Sequence, residues 1–279
     1  MTIAVTGATG HLGRLVISAL KKHAAVVALA RDPAKGADLG VAVRRFDYDT
    51  PETLPEALAG IDKLLLISGN ELGKRATQHR AVIAAAKKAG VELIAYTSLL
   101  RADTTPLDLG PEHAATETAL KASGVPFVIL RNGWYTENYT ASIPVALKNG
   151  AFIGSARDGR IASAARADYA EAAVVVLTGE GHAGRTYELA GDTAYTLAEL
   201  AAELSRQSGK TIPYSDLPPA EFAKALEGAG LPPVWAEAYA SMDVAAAKGA
   251  LFDDGHVLSR LIGRPTTPLG DTIRQILAV

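Results

Sequence analysis

The sequence predicts an α/β fold: a doubly wound, mostly parallel sheet with a smaller, mostly helical C-terminal lobe. Three observations predict it. Short apolar runs recur through the first half of the chain, as expected of strands buried on both faces. Segments of helical length separate them, which is the alternation that builds parallel sheets. Beyond Gly191 the chain turns mostly helical.

Composition sets the limits. With 279 residues, 48% hydrophobic and 21% charged, the chain supports one large α/β domain with an appended lobe. At that size about three-quarters of the extended-chain surface is expected to be buried. The net charge of −2 suggests neither a nucleic-acid surface nor an acidic membrane as partner. The absence of cysteine excludes disulfides, thiolate nucleophiles and cysteine-held clusters. The six histidines show no short metal-ligand spacing, so no metal is expected. No apolar run approaches membrane length, and the chain enters a strand at once with no leader pattern. A cytoplasmic protein without membrane insertion is the expectation; a homodimer is left open.

Ile3-Ala4-Val5 reads as the first strand, followed by the glycine turn TGATGHLG (6–13), a helix over RLVISALKK and a second strand ending before Arg31. Gly7 allows a sharp turn off the strand, Gly10 lets a pyrophosphate approach the backbone, and Gly13 allows close helix packing. Free amides at the helix start and the helix dipole then hold the anion, with Thr9, His11 and Leu12 in the same cradle. The spacing is G-x-x-G-x-x-G rather than G-x-G-x-x-G. Its position, after a strand and opening a helix, gives it weight beyond a tight structural turn. The expected ligand is a nicotinamide dinucleotide on a Rossmann-type sheet.

Enzymes that prefer the unphosphorylated cofactor place a carboxylate at the end of the second strand. Here that position holds Arg31, suited to a 2′-phosphate, so NADPH is favoured. Asp32 follows and can cap the turn before Pro33, while Lys35 adds a second charge; the alternative is that Arg31 is a solvated surface residue. The third strand is placed over 41–49, closed by Asp47 and Tyr48 beside the adenine pocket. Asp47 either accepts from adenine or caps the next helix. The fourth strand, 61–68, ends in Ser68-Gly69-Asn70, expected to border the cofactor ribose. A long helix over 71–90 carries Arg75, His79 and Arg80 on what reads as a solvated face.

The fifth strand, 91–99, ends in Tyr96, Thr97 and Ser98, with Ser98 placed to polarise a substrate carbonyl. A helix begins at Pro111, the favoured first position for proline. On it His113 and Glu117 share a face, either as an ion pair or with His113 turned toward the nicotinamide end of the cleft. After the sixth strand, 125–130, comes RNGWYTENY. Its aromatics suggest a flat ligand, unless Trp134 and Tyr139 fill the interlobe core. Ile153-Gly154 and 161–163 read as a strand pair around RDG. A helix follows over 166–178, then a seventh strand over 186–191. Thr196 and Glu199 stand in capping-box spacing ahead of a helix to 209. Helices near 218–229, 233–247 and 255–263 and one from Pro268 complete a lid. The dinucleotide-binding domain is drawn as 1–131 with returns near 161–191, and the substrate lobe as 132–160 and 192–279.

The motifs TGATGHLG, ARDPAK, LLLISGNELGKRATQHR, AYTSLLRADTTPL, LRNGWYTENY, ARADYAEAA, YELAGD, LAAELSRQSGK and GALFDDG carry a resemblance. The chain resembles the bacterial NADPH:quinone oxidoreductases of the NmrA-like group, atypical members of the short-chain dehydrogenase/reductase superfamily, nearly end to end. The resemblance implies NADPH-dependent reduction of small quinones, with the glycine loop at Gly7, Gly10 and Gly13. It also implies a phosphate-binding Arg31 and a quinone cleft between the lobes.

One absence fits. No tyrosine has lysine four positions on, the dyad with which ordinary short-chain reductases protonate an alkoxide. A hydroquinone anion is delocalised and far less basic, so it can take its proton from water. Catalysis then rests on proximity, with Tyr96, Ser98, Trp134 and Tyr135 placed at the substrate. Asn138 is expected at the quinone site, and His113 as a donor to the developing oxyanion. Two rivals stand: an NmrA-like redox sensor that binds NADP(H) without turnover, and a carbonyl or isoflavone-type reductase using a lysine, for which Lys121 lies too late in its helix.

Overall fold

The computed structural model describes residues 1–278. The first half alternates strand and helix: β1 (Thr2–Val5), α1 (His11–Leu20), β2 (Ala25–Ala30), β3 (Ala42–Arg45), α2 (Leu54–Ala57), β4 (Lys63–Leu66), α3 (Arg75–Ala89), β5 (Leu93–Leu99), α4 (Gly110–Ser123) and β6 (Phe127–Asn132). Two short helices, α5 (Thr136–Thr140) and α6 (Ile143–Asn149), lead to β7 (Phe152–Gly154), α7 (Arg166–Thr178) and β8 (Thr186–Leu189). The remainder is α8 (Leu197–Ser208), β9 (Tyr214–Asp216), α9 (Pro219–Gly228), α10 (Pro233–Ala246), α11 (Val257–Ile262) and α12 (Leu269–Leu277).

Seven strands form one sheet in the order β3-β2-β1-β4-β5-β6-β8, and every pairing in it is parallel. Alternate residues of the central strands bury on opposite faces. Ile3, Val5, Leu65, Ala95, Val128 and Leu130 pack on the side of α1 and α7. Ala4, Leu64, Leu66, Ile94 and Tyr96 pack on the side of α3 and α4. Both faces are dry, which is why these strands read as unbroken apolar runs rather than as alternation. Helix α1 buries Leu12, Val16, Ile17 and Leu20 against the sheet, each such aliphatic contributing about 1.5–3 kcal/mol. The strand order reverses between β1 and β4, and a crevice opens at such a reversal beyond the carboxyl ends of the strands.

A second core, including Trp134, Tyr139, Ile143, Phe152, Leu197, Leu200, Leu204 and Ile273, underlies the helical lobe. The capping box at α8 forms as its spacing predicts: Glu199 N–H donates to Thr196 Oγ1 at 3.1 Å, and Thr196 N–H to Glu199 Oε2 at 2.7 Å. Asp243 of α10 ties three parts of this lobe together. It accepts from the Tyr139 hydroxyl and from Ser155 N–H, both at 2.8 Å. Burial raises its carboxyl to about 6.

The hairpin expected around RDG does not form. β7 pairs in parallel with β9, and Ile161 instead bridges Tyr195. Each segment finds its hydrogen bonds in a distant stretch, Phe152 N–H on Pro213 O and Ile161 N–H on Tyr195 O. The third strand stops at Arg45, leaving Asp47 and Tyr48 in the turn behind it. The helix expected over 71–90 begins only at Arg75.

Candidate active site

Gly7 takes φ +56, the left-handed turn off β1 that its place required. No side chain caps α1, so the amides of His11, Leu12 and Gly13 are left for an anion. A Cβ on Gly10 would meet only Gly7 O, at 3.2 Å, whereas one on Gly13 would stand 2.3 Å from it. Gly13 therefore allows α1 to lie against the loop's own backbone, rather than against a strand. Thr9 fixes the loop through its carbonyl, which accepts from Arg14 Nε at 3.1 Å. Thr6 joins the loop to the end of β4, its hydroxyl oxygen accepting from Ile67 N–H at 2.9 Å.

A cleft of about 270 Å³ opens at the ends of β4, β5 and β6. Its walls bring together Ser68, Gly69, Asn70, Ser98, His113, Trp134, Tyr135 and Asn138 from the expected residues. Asn132, Arg166 and, from α10, Trp235, Tyr239 and Met242 complete it. These last were not singled out from the sequence, because nothing local ties α10 to the strand ends.

The long helix α3 was read as a solvated face; Arg80 is exposed as that reading expects, but for Arg75 and His79 it is corrected. Arg75 and His79 are buried, one turn apart, and grip the backbone of Gly69. Gly69 N–H donates to His79 Nε2 at 3.0 Å, and Arg75 Nε donates to Gly69 O at 2.8 Å. Since His79 Nε2 accepts, its proton sits on Nδ1, facing Thr116 Oγ1 at 3.0 Å. Burial and the Arg75 charge lower the His79 pKa to about 3, so this clamp is neutral. Tyr48 packs nearby and donates to Ile67 O at 3.2 Å.

The ion pair offered for His113 and Glu117 is also corrected. His113 Nδ1 lies 2.8 Å from the Tyr96 hydroxyl. Glu117 instead takes Arg131 Nε at 2.9 Å and Nη2 at 2.8 Å. Burial, with Arg75 and His79 nearby, lowers the His113 pKa to about 3. Tyr96 does not reach the cleft: it is fully buried, one strand repeat below the rim. Ser98 reaches the rim but donates its proton to Glu117 Oε1 at 2.6 Å, so it offers a ligand only lone pairs and cannot polarise a carbonyl by donation.

Both readings of the aromatic stretch apply, to different residues. Tyr139 belongs to the lobe core. Trp134 is part of that core and also of the cleft wall. Arg166 lies over the Tyr135 ring, 4.9 Å from its centroid, and donates to Asn138 Oδ1 at 2.8 Å. That bond turns the Asn138 amide so that its N–H groups are the free end.

Arg31 and Asp47 stand at the edge. Arg31 is exposed and pairs with Glu71 at 3.3 Å, with Lys74 on the same carboxylate at 3.1 Å. Asp47 caps its own turn, accepting from Asp49 N–H at 3.2 Å, and Asp32 caps the turn at Pro33 as expected. Asp47 thus serves a local turn and does not cap the helix that follows, whose N-cap positions are Thr50 and Thr53 without side-chain caps.

A dinucleotide fits these residues on three counts: the uncapped α1 with its glycine cradle, the crevice at the strand reversal, and the buried Asn132 Oδ1 on the cleft wall with no partner among the described residues. Among the described residues no cluster suits a metal, and no helix is long and apolar enough to cross a membrane.

Known proteins agree with this geometry. The chain is 55% identical to quinone oxidoreductase 2 of Escherichia coli, over 99% of each chain. The crystal structure of the NADPH-dependent quinone oxidoreductase of E. coli complexed with NADPH superposes with a TM-score of 0.94 at 55% identity, over 99% of each chain. Triphenylmethane reductase of Citrobacter sp. superposes with a TM-score of 0.95 at 38% identity, over the whole of both chains. A family model described as NAD(P)H-binding matches residues 7–180. This chain belongs to that NAD(P)H-binding family, in its NmrA-like group of atypical short-chain dehydrogenases/reductases.

Proposed function

We propose that the chain is an NADPH-dependent reductase that reduces small quinones to hydroquinones in one two-electron step. One observation carries the reading: His113, held neutral, and Asn138, with its amide N–H end free, share an aromatic-walled cleft at the open strand ends. The 55% identity to the E. coli quinone oxidoreductase supports it. NADPH, when bound, supplies the hydride.

The protein's part is binding and orientation. The first-turn amides of α1 hold the pyrophosphate, and Gly10 leaves room for it. Arg31, with Lys74 beside it, clamps the 2′-phosphate; Ser68, Gly69 and Asn70, fixed by Arg75 and His79, border the ribose; Asp47 and Tyr48 flank the adenine side. Asn132 Oδ1, buried without a partner among the described residues, would accept an N–H of the bound cofactor. Trp134 and Tyr135, with Trp235 and Tyr239 lining the same cleft, would hold a flat ring for transfer. His113 and Asn138 donate to the quinone oxygen that gains charge. Residues 1–131, with the returns near 161–191, thus serve the nucleotide, and 132–160 with 192–279 cover the acceptor. Cytoplasmic residence and a homodimer belong to the same proposal, read by cell fractionation and by light scattering.

The direct test is NADPH oxidation against a panel of quinones, repeated with NADH. No consumption with any quinone would leave the sensor reading instead. Arg31→Ala is expected to weaken NADPH by about 1.5–3 kcal/mol, the size of a hydrogen bond to a charged group, and to leave NADH nearly untouched. Equal losses for both cofactors refute the clamp. His113→Ala and Asn138→Ala are each expected to lower kcat on benzoquinone by roughly 10- to 100-fold, from the same magnitude. If neither changes turnover, the donor roles are wrong. Because His113 titrates only at about 3, kcat should show no histidine step near the ordinary value.

A further inference from the structure

We propose that Tyr96 is a positioning residue that locks His113 in one tautomer, with its proton on Nε2. The imidazole then always shows the cleft an N–H and never a lone pair. The inference rests on His113 acting as the donor to the acceptor oxygen, and it adds what makes that donor permanent.

The geometry carries it. The Tyr96 hydroxyl and His113 Nδ1 lie 2.8 Å apart, and one of them must donate. Among the described residues the ring is the hydroxyl's hydrogen-bond partner. If His113 Nδ1 donated, the phenolic proton would lose its acceptor at hydrogen-bond distance in a buried site, which is the costly arrangement. Thr116, the other polar group beside this hydroxyl, has no proton to offer it and stands outside the 2.8 Å contact that the ring makes. It takes the His79 Nδ1 proton and gives its own to Glu112 O at 3.0 Å. The phenol therefore donates, Nδ1 accepts, and the neutral ring carries its proton on Nε2. Nε2 is not among the buried atoms that lack a partner, and His113 lines the cleft, so this is the nitrogen a ligand meets.

The surroundings keep the ring neutral. Arg75 and His79 face it from α3 and Tyr96 from β5. On its own helix, the Glu112 carboxylate is taken by Arg75 and that of Glu117 by Arg131, so neither is left to draw a second proton onto the ring. His79 is fixed the opposite way, with its proton on Nδ1, because Gly69 N–H occupies Nε2. Two buried histidines thus hold opposite tautomers, each dictated by a single neighbour.

Nitrogen-15 NMR of histidine-labelled full-length protein tests this, with His113→Gln assigning the resonance. The expected result is a single Nε2–H tautomer at His113 in the wild type and a mixture in Tyr96→Phe. A wild-type ring protonated on Nδ1, or a Tyr96→Phe ring still wholly on Nε2, overturns the proposal. This readout needs no turnover, so it stands apart from the success or failure of the quinone assay. Kinetically, Tyr96→Phe is expected to lower kcat about tenfold with KM for NADPH unchanged. Placed on His113→Gln, whose amide N–H does not depend on a tautomer, it should cost nothing further. An equal loss in that background would make Tyr96 merely structural and overturn the proposal.

Discussion

Gly13→Ala is expected to raise the Kd for NADPH by at least about a hundredfold while the protein still folds. The new Cβ would lie 2.3 Å from Gly7 O and 2.9 Å from Ala8 Cα. Both are backbone atoms, so no rotamer change relieves the clash; the loop or the start of α1 must move by about an ångström. Overpacking of this kind costs about 1–3 kcal/mol, and the better helix propensity of alanine returns roughly 0.5–1 of it. The stability change is therefore small against the whole. Binding suffers more, because the anion is held by amides whose aim is set by that same contact, and a shift of about 1 Å at such a site costs roughly a hundredfold. Gly10→Ala makes the comparison: its Cβ meets only one atom, at 3.2 Å, so its Tm should stay close to the wild type while its affinity falls. Titration of NADPH fluorescence with parallel melting curves reads both. A Gly13→Ala protein binding NADPH within about threefold of the wild type would show that the cradle tolerates what its geometry forbids.

Gly13 was legible in the sequence because its cause is local: a strand, a turn and a helix start lie within a dozen or so consecutive residues, and the spacing alone fixes their geometry. The capping box at Thr196 and the turn at Asp32 were legible for the same reason. Arg75 and His79 were not. A charged residue on a helix has the same spacing whether it meets water or another loop's backbone, and the partner, Gly69, is outside the helix. Glu117 was assigned to His113 because the two share a helix face. Its true partner, Arg131, comes from the next strand and outcompetes a neutral ring. Tyr96 failed through depth. It and Ser98 point to the same face of β5, but two residues of strand span roughly 6.6 Å, enough to put one on the rim and the other beneath it. The RDG turn suggested a hairpin because local pairing is all a turn can announce, whereas β7 pairs with a strand some sixty residues on.

Arg131→Met is expected to destabilise the protein by about 3–5 kcal/mol, the cost of stripping one partner from a buried ion pair. The Glu117 side chain is 3% exposed and takes two guanidinium bonds besides the Ser98 hydroxyl. Without the arginine it would keep only that hydroxyl and Lys121, whose exposed ammonium is 3.8 Å away. For a chain of this size the loss should appear as a Tm lower by on the order of 10 °C. Glu117→Gln should cost less, because Arg131 keeps Glu188 at 2.7 Å and Asp103 at 3.0 Å, both nearer solvent. The decisive comparison is Glu117→Leu combined with Arg131→Met. Replacing both charges by apolar groups removes the stranded carboxylate, so the double variant should melt above Arg131→Met alone. If it melts no higher, the penalty comes from lost packing rather than from an unpaired charge. The same double variant frees Ser98, whose proton then has no fixed acceptor. Its hydroxyl could turn toward the cleft and donate, so turnover on benzoquinone should change even where the melting point recovers. That separation of stability from rate is what a charge pair buried directly behind a cleft wall should produce.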